Sequence, residues 1–222
     1  MNPVHRQKSG LHSIPRTEAP LSAGFSLIEL LVVVAIVGVL SVFAVGAFNA
    51  TMRGTKISSS AQAVADAMRL ARSSAISRNV PVQLRFYKLP EYNSAATAPV
   101  VYRGLQIFSC ESRSTNPITK PFLFPQPIVA SADATKSSIL QLSNNPADGN
   151  RVAGLNTYTY VAMTFGPDGM IRPTGGTLTS TNEWYITIQT DRDLATDAAW
   201  PKNYATVAVN PVTGNTKVFQ PR

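Results

Sequence analysis

The sequence has few of the residues that enzymes most often use for catalysis. Cys110 is the only cysteine, which excludes an internal disulfide and predicts a buried, apolar role for this side chain. The two histidines, His5 and His12, both lie in the first dozen residues, and removal of that segment would leave none. Histidine is the commonest general base and metal ligand. The shortage disfavours an envelope hydrolase, and we expect a chain that is not an enzyme and has no cofactor or metal.

Charge is also scarce: charged residues make up 14 % of the chain, against about 25 % in typical soluble domains. The apolar residues are concentrated in residues 25–48, where only Ser26, Glu29 and Ser41 are polar. As a helix this segment would span about 36 Å, and a bilayer core is about 30 Å thick. We therefore expect a transmembrane helix. The basic segment before it predicts a single-pass protein of a bacterial inner membrane, with its N-terminus in the cytoplasm and its remainder in the periplasm.

The helix is predicted to continue through residues 49–79 in amphipathic form. No proline occurs between Pro20 and Pro81, so nothing interrupts a helix over residues 25–79. Apolar residues recur at alternating steps of four and three, which is the spacing of one helical face. The members of this apolar stripe are Ile57, Ala61, Val64, Met68, Ala71 and Ala75. We expect the stripe to pack against the domain that follows.

Residues 80–222 have the composition of a β-rich domain, with frequent Pro, Gly, Asn, Thr and Val. Alternation of apolar and polar residues predicts several half-buried strands. These strands are residues 80–89, 100–109, 156–165, 183–190, 205–209 and 215–219. The run Gly166-Pro167-Asp168-Gly169 predicts a hairpin turn, and residues 111–127 predict a proline-rich loop. The expected fold class is α+β, with one long helix packed on a mainly antiparallel β head.

The boundary before the apolar run carries the most specific signal. A secretory signal peptide is cut after its apolar segment, but here the small residue Gly24 precedes it. Cleavage after Gly24 would remove residues 1–24 as a leader and make Phe25 the new N-terminus. Glu29 would then lie one helical turn inside hydrocarbon, where an acidic side chain costs up to about 2.5–3.5 kcal/mol and usually has a partner. The α-amine of Phe25 in a staggered neighbouring subunit is the cation that such cleavage would create.

The run Gly24-Phe25-Ser26-Leu27-Ile28-Glu29 closely resembles the signature of type IV prepilins. The segment MRLARSSA at residues 68–75 is similar to minor pilins and pseudopilins of the FimT, FimU and GspH type. The resemblance implies cleavage by a prepilin peptidase between Gly24 and Phe25 and methylation of the Phe25 amine. It also implies a structural subunit of a type IV pilus or a type II secretion pseudopilus. Such a subunit acts near the tip or in assembly initiation, among other pilins and on an inner-membrane platform.

Two alternatives stay open on the residues alone. Pilus and pseudopilus subunits share this architecture, so the sequence does not separate them. Some FimT-like relatives bind DNA through a C-terminal loop with two arginines, whereas the matching loop here, Gly214-Asn215-Thr216-Lys217, offers one lysine. A DNA receptor for natural transformation is the second hypothesis, with weak contacts expected from Lys202, Lys217 and Arg222. For the seven basic residues between positions 53 and 88, we favour a solvated face or subunit contacts over nucleic acid.

Overall fold

The first element that the structure describes is one long helix. The computed structural model describes residues 24–91, 99–111, 114–149, 151–173, 184–196 and 200–221. Helix α1, Leu27–Arg78, has 52 residues and confirms the prediction of an unbroken helix over 25–79. After it, Asn79 adopts a left-handed backbone conformation with φ of 53°. Asparagine tolerates this conformation at helix ends, and Pro81 two residues later cannot continue a helix.

The chain forms two compact units, Met1–Val45 and Gly46–Arg222. In the second unit the part of α1 after Gly46 packs on a β-sheet, and each member of the predicted apolar stripe is at most 1 % exposed. The buried face is wider than the stripe, because Ala65 and Ala67 are buried too. These small side chains let the helix backbone approach the sheet closely. The larger ones, Ile57 and Met68, each contribute about 1.5–3 kcal/mol through burial.

The sheet is built from strands that pair antiparallel throughout. The strands are β1 (Val82–Leu89), β2 (Val101–Glu111), β3 (Ser114–Pro117), β4 (Phe122–Leu123), β5 (Ile128–Ala130), β6 (Asn144–Pro146), β7 (Thr159–Phe165), β8 (Ile171–Pro173), β9 (Trp184–Thr190), β10 (Ala205–Val209) and β11 (Thr216–Phe219). Their order is β11-β10-β9-β5-β2-β1-β7-β6, with β3 and β4 added to β2 and β8 added to β7. Short 3-10 helices lie at Ile139–Gln141 and Asp191–Thr196.

The predicted strands are confirmed, and one predicted loop is wrong. Strands β1, β2, β7, β9, β10 and β11 lie where the alternating patterns placed them. Residues 111–127 contain β3 and β4, which both pair with β2. Proline is tolerated there because Pro117 ends a short strand at the edge of the sheet. Neither strand is long enough to show an alternating pattern, so only the pairing with β2 defines them.

One face of the sheet packs against α1. In β1, every second side chain points to this face. Val82, Leu84 and Phe86 are fully buried in the same core cluster as the apolar stripe. The core also takes Trp184, which is buried, whereas Trp200 is 52 % exposed and packs on Tyr204 with ring centroids 4.9 Å apart. The fold class is therefore α+β, as predicted from the sequence.

The opposite face of the sheet has a second, aromatic core around one charged side chain. Arg85 of β1 is 3 % exposed, and its guanidinium lies 4.0 Å from the ring centroid of Phe108 and 4.4 Å from that of Tyr160. Its Nη1 donates to the carboxylate of Asp148, which also accepts a hydrogen bond of 3.1 Å from the Tyr158 hydroxyl. The expectation of a solvated or intersubunit position is wrong for Arg85. Its ion-pair partner and two aromatic faces allow the charge to be buried.

Cys110 lies at the end of this face. Its side chain was expected to be buried, but it is only half-buried. Burial nevertheless raises the pKa of its thiol.

Alkaline pH is expected to destabilise the second unit because its buried tyrosines resist ionisation. Burial raises the pKa of Tyr87, Tyr102 and Tyr160 above the ordinary value of 10.0 and that of Tyr158 to about 12. The folded state therefore holds these protons more tightly than the unfolded state. The resulting stability is complete below pH 10 and is lost as the pH rises through the folded-state pKa values. Melting temperatures measured by circular dichroism from about pH 8 to about pH 11 should fall at the alkaline end. Tyr158→Phe should reduce that fall, and a flat profile would contradict the expectation.

Candidate subunit-assembly site

The N-terminus of α1 is closed by a hydrogen-bonded cap. The backbone N–H of Glu29 donates to Ser26 Oγ over 3.2 Å, and the N–H of Leu30 donates to the Ser26 carbonyl over 3.1 Å. Serine at the cap with glutamate three residues later is the sequence pattern of a capping box. This capping role of Ser26 was not predicted from the sequence, where Ser26 is only a member of the prepilin-like run. The spacing of serine and glutamate before an apolar segment was the signal that could have identified its capping role.

The residues predicted for cleavage and assembly lie exposed around this cap. Phe25 is 80 % exposed, and a methyl group on Gly24 would meet nothing within 4 Å. The Glu29 carboxylate makes no hydrogen bond or ion pair with any of the residues that the structure describes. It lies in the first turn of the helix, where the N-terminal dipole favours a negative charge. The geometry leaves this carboxylate available to a cation that the described residues do not supply.

The helix surface that follows Glu29 is apolar on every side. All large hydrophobic side chains within Leu27–Leu40 are between 48 % and 85 % exposed. Five of them are consecutive, Leu30–Val34, and at about 100° per residue they cover the whole circumference of the helix. An apolar surface of this extent marks a region that contacts other molecules. Among the described residues, no helix combines the length and the hydropathy that a membrane span requires. The membrane-spanning role of residues 25–48 stays a prediction.

The terminal hairpin forms as predicted, but it presents little positive charge. The Gly214 N–H donates to the Asn210 carbonyl over 2.7 Å, and β10 pairs with β11 on either side of this turn. Lys217 is exposed on β11, and Lys202 is exposed in the segment before β10. Arg222, the third residue proposed for DNA contact, lies outside the described residues. The role of all three residues in DNA contact stays a prediction.

The turn at 166–169 and the turn of the terminal hairpin both pack against Arg72 of α1. This arrangement was not predicted from the sequence. The turn at 166–169 is a hairpin turn, as predicted, since Phe165 pairs with Ile171 on either side of it. It is joined to the terminal turn by a hydrogen bond of 2.8 Å from Ile171 N–H to the Pro211 carbonyl. Gly169 and Gly214 have φ of 75° and 66°. The pattern identified both turns, but their meeting at Arg72 depends on the tertiary structure.

Both glycines are required by close packing as well as by backbone conformation. A methyl group on Gly169 would lie 3.1 Å from Arg72 Nε and 3.0 Å from Ile76 Cδ1. A methyl group on Gly214 would lie 2.6 Å from Arg72 Nε and 2.9 Å from the Gly169 carbonyl oxygen. The side chain of Arg72 therefore packs α1 directly against the two turns. Beside this contact is a cavity of about 350 Å³, lined by Arg69, Arg72, Ser73, Ile76, Gly214, Asn215 and Thr216.

Two known family models match the sequence of the chain. Residues 21–45, which contain the capped helix start, match the model of the prokaryotic N-terminal methylation motif. Residues 60–195, more than half of the chain, match the model of the type II transport protein GspH. These matches define a pilin-like subunit with a methylation motif, a long helix and an antiparallel sheet. The chain belongs to the GspH family. Together with the methylation motif, this places it among the pilin-like subunits related to type II transport proteins.

Solved structures of two such subunits are similar to the chain. The minor pseudopilin EpsH from the type 2 secretion system of Vibrio cholerae has 9 % identity and a TM-score of 0.41, covering 75 % of this chain and 98 % of that one. The type IV minor pilin FimU of Pseudomonas aeruginosa has 11 % identity and a TM-score of 0.39, covering 76 % of this chain and 90 % of that one. No curated protein sequence matches the chain significantly. The family assignment rests on the family models alone.

Proposed function

We propose that the chain is made as a precursor, cut between Gly24 and Phe25 by a prepilin peptidase, and methylated on the Phe25 amine. The processed subunit enters a pilus or pseudopilus, near the tip or during assembly initiation, with other pilins and on an inner-membrane platform. The observation that carries this proposal is the Glu29 carboxylate, which has no partner among the described residues and lies in the first turn of a helix whose segment Leu27–Leu40 exposes apolar side chains.

The surroundings of Gly24 support a role in recognition by an enzyme. A side chain at this position would meet no atom of the described chain within 4 Å, so packing does not require glycine here. The bond that follows it lies before the first helical residue, Leu27, and Phe25 is largely exposed. An exposed peptide bond outside regular secondary structure is accessible to a peptidase. A glycine that the fold does not need is explained if the processing enzyme needs it.

The Glu29 carboxylate then serves as the partner of the new α-amine in a neighbouring subunit. In an apolar environment an unpaired carboxylate is costly, whereas a hydrogen-bonded pair with an ammonium group is much less so. A staggered neighbour brings its Phe25 amine to Glu29 only at one axial offset. The pair therefore selects the register of helix packing in the filament.

Mass spectrometry of the protein extracted from membranes tests the processing step. The wild-type chain is expected to begin at Phe25 and to carry one methyl group on its α-amine. Gly24→Val should leave the uncleaved precursor, because a branched side chain then occupies the position that the peptidase recognises. Gly38→Val is the matched control, since a side chain at Gly38 also meets nothing within 4 Å. This control should be processed normally, and full-length wild-type chain in cells with active prepilin peptidase would contradict the proposal.

DNA uptake receives less support than assembly. Within the terminal hairpin, Lys217 is the single basic side chain, and a lysine lacks the bidentate geometry with which arginine binds phosphate. Lys202 adds one exposed positive charge outside the hairpin. The salt dependence of DNA binding grows with the number of phosphate contacts. We therefore expect weak binding that disappears near physiological salt, measurable by fluorescence anisotropy at two salt concentrations. Tight binding that Lys217→Ala abolishes would instead favour the DNA receptor.

A further inference from the structure

Arg72 carries a positive charge that no described residue neutralises. Its Nε atom is buried and has no hydrogen-bond partner in the described part of the chain. The neighbouring arginines differ in this respect: Arg69 pairs with Asp66 over 2.8 Å, and Arg172 pairs with Asp168 over 2.7 Å. A buried donor without a partner is destabilising. A group that accepts a hydrogen bond from this Nε atom would remove that cost, and the described chain supplies none.

A second buried polar atom in the same cavity is also without a partner. The hydroxyl oxygen of Thr216, at the start of β11, is buried and forms no hydrogen bond with the described residues. Thr216 and Arg72 both line the cavity of about 350 Å³ between α1 and the terminal hairpin. The exposed side-chain amide of Asn215 provides a further donor at its rim. A guanidinium and a hydroxyl that share one cavity are complementary to an oxyanion.

We propose that this cavity binds a carboxylate group presented by a partner protein. The choice of a protein carboxylate as the occupant rests on the proposed role of the chain in a filament with other subunits. The local charge fits one carboxylate better than a nucleic-acid backbone. Asp66 and Asp168 already neutralise Arg69 and Arg172, so Arg72 leaves one net positive charge.

The rim of the cavity supports the same choice. Ile76 lines the cavity and is 48 % exposed. An exposed aliphatic side chain beside a single charge suits the mixed polar and apolar surface of a protein partner. A phosphodiester strand would instead favour a row of basic side chains along its path. The cavity thus provides one charged anchor with apolar contacts next to it.

Titration of the isotope-labelled full chain in detergent micelles, followed by NMR, tests the proposal. The probe is the tripeptide Ala-Glu-Ala with both termini blocked. The tripeptide Ala-Gln-Ala, blocked in the same way, is the uncharged control, and a thymidine dinucleotide is the phosphodiester control. The glutamate peptide is expected to shift the backbone amide signals of Ser73, Asn215 and Thr216, and the other two probes to shift them far less. Because these probes need no filament, the result is independent of whether the chain assembles.

Variants separate the binding site from a general effect of charge. Arg72→Gln should weaken binding of the glutamate peptide by about tenfold or more, and Arg72→Lys by less. Thr216→Val, which leaves the packing of Arg72 on the glycine turns intact, should weaken it severalfold. Arg53→Gln removes an equal charge from an exposed position of α1 outside the cavity and should change nothing.

Three results would overturn the proposal. The first is equal binding of the glutamate and glutamine peptides. The second is unchanged binding in both Arg72→Gln and Thr216→Val. The third is tighter binding of the dinucleotide than of the glutamate peptide, which would assign the cavity to nucleic acid.

Discussion

The Glu29→Leu chain is expected to be cleaved, methylated and retained in the membrane, yet to be absent from the filament. Leucine removes the cost of placing a carboxylate in an apolar environment, so membrane insertion becomes easier. It also removes the only described acidic group in the first turn of α1, and with it the partner of the neighbouring α-amine. Removing one member of a buried pair costs about 3–5 kcal/mol. Immunoblots of sheared filaments should therefore show the variant reduced by far more than about tenfold.

A matched control distinguishes this effect from the loss of any helix carboxylate. Asp66 is exposed on α1 and pairs with Arg69, whose side chain is 51 % exposed. Asp66→Ala should enter the filament at the wild-type level, because an exposed ion pair contributes little. Glu29→Asp shortens the side chain by one methylene and should retain part of the assembly. If Glu29→Leu appears in filaments as abundantly as the wild type, the pairing of carboxylate and amine is wrong.

The Asp148→Ala chain is expected to lose about 3 kcal/mol of unfolding free energy, because it leaves Arg85 charged and buried without its ion-pair partner. The Arg85 side chain is 4 % exposed and that of Asp148 is 26 % exposed, so water cannot readily replace the carboxylate. The Tyr158 hydroxyl also loses the acceptor of its hydrogen bond. The melting temperature should fall by roughly 6–12 °C, as measured by circular dichroism in detergent.

Charge-neutral replacement of the pair gives the complementary result. Arg85→Met together with Asp148→Ala should recover part of the loss, since an apolar side chain fits between Phe108 and Tyr160. Asp66→Ala breaks an exposed pair and should change the unfolding free energy by less than about 1 kcal/mol. Equal effects of Asp148→Ala and Asp66→Ala would show that the aromatic face does not exclude water from Arg85.

The main elements were predictable because their signals are local. The stripe from Ile57 to Ala75 follows from helical spacing, and the strands around Phe86 and Ile186 follow from alternation. By contrast, β3 and β4 have few residues and exist only through pairing with β2. Composition gave no indication of these strands, because hydrogen bonding to a neighbouring strand is not encoded in a four-residue segment.

The candidate assembly site could be proposed from the sequence for a related reason. Gly24, Phe25 and Glu29 lie within six consecutive residues of α1 and the segment before it, so their order and the resemblance to prepilins suggest the cleavage and pairing that stay predictions. The cap formed by Ser26 belongs to the same local pattern and was detectable. What the residues could not show was that the Glu29 carboxylate has no partner among the described residues, because that depends on every other side chain.

The amino-acid sequence by itself determined the helix, the principal strands, the prepilin-like boundary and the α+β class, since each depends on neighbours a few positions apart. Only the tertiary structure decided which charges are buried and which glycines touch the helix. Arg85 meets Asp148 across 63 positions of the chain, and Arg72 meets Gly169 and Gly214 from two separate hairpins. These contacts form when the sheet folds against α1, and the free energy of a charged side chain depends on partners that are distant in sequence.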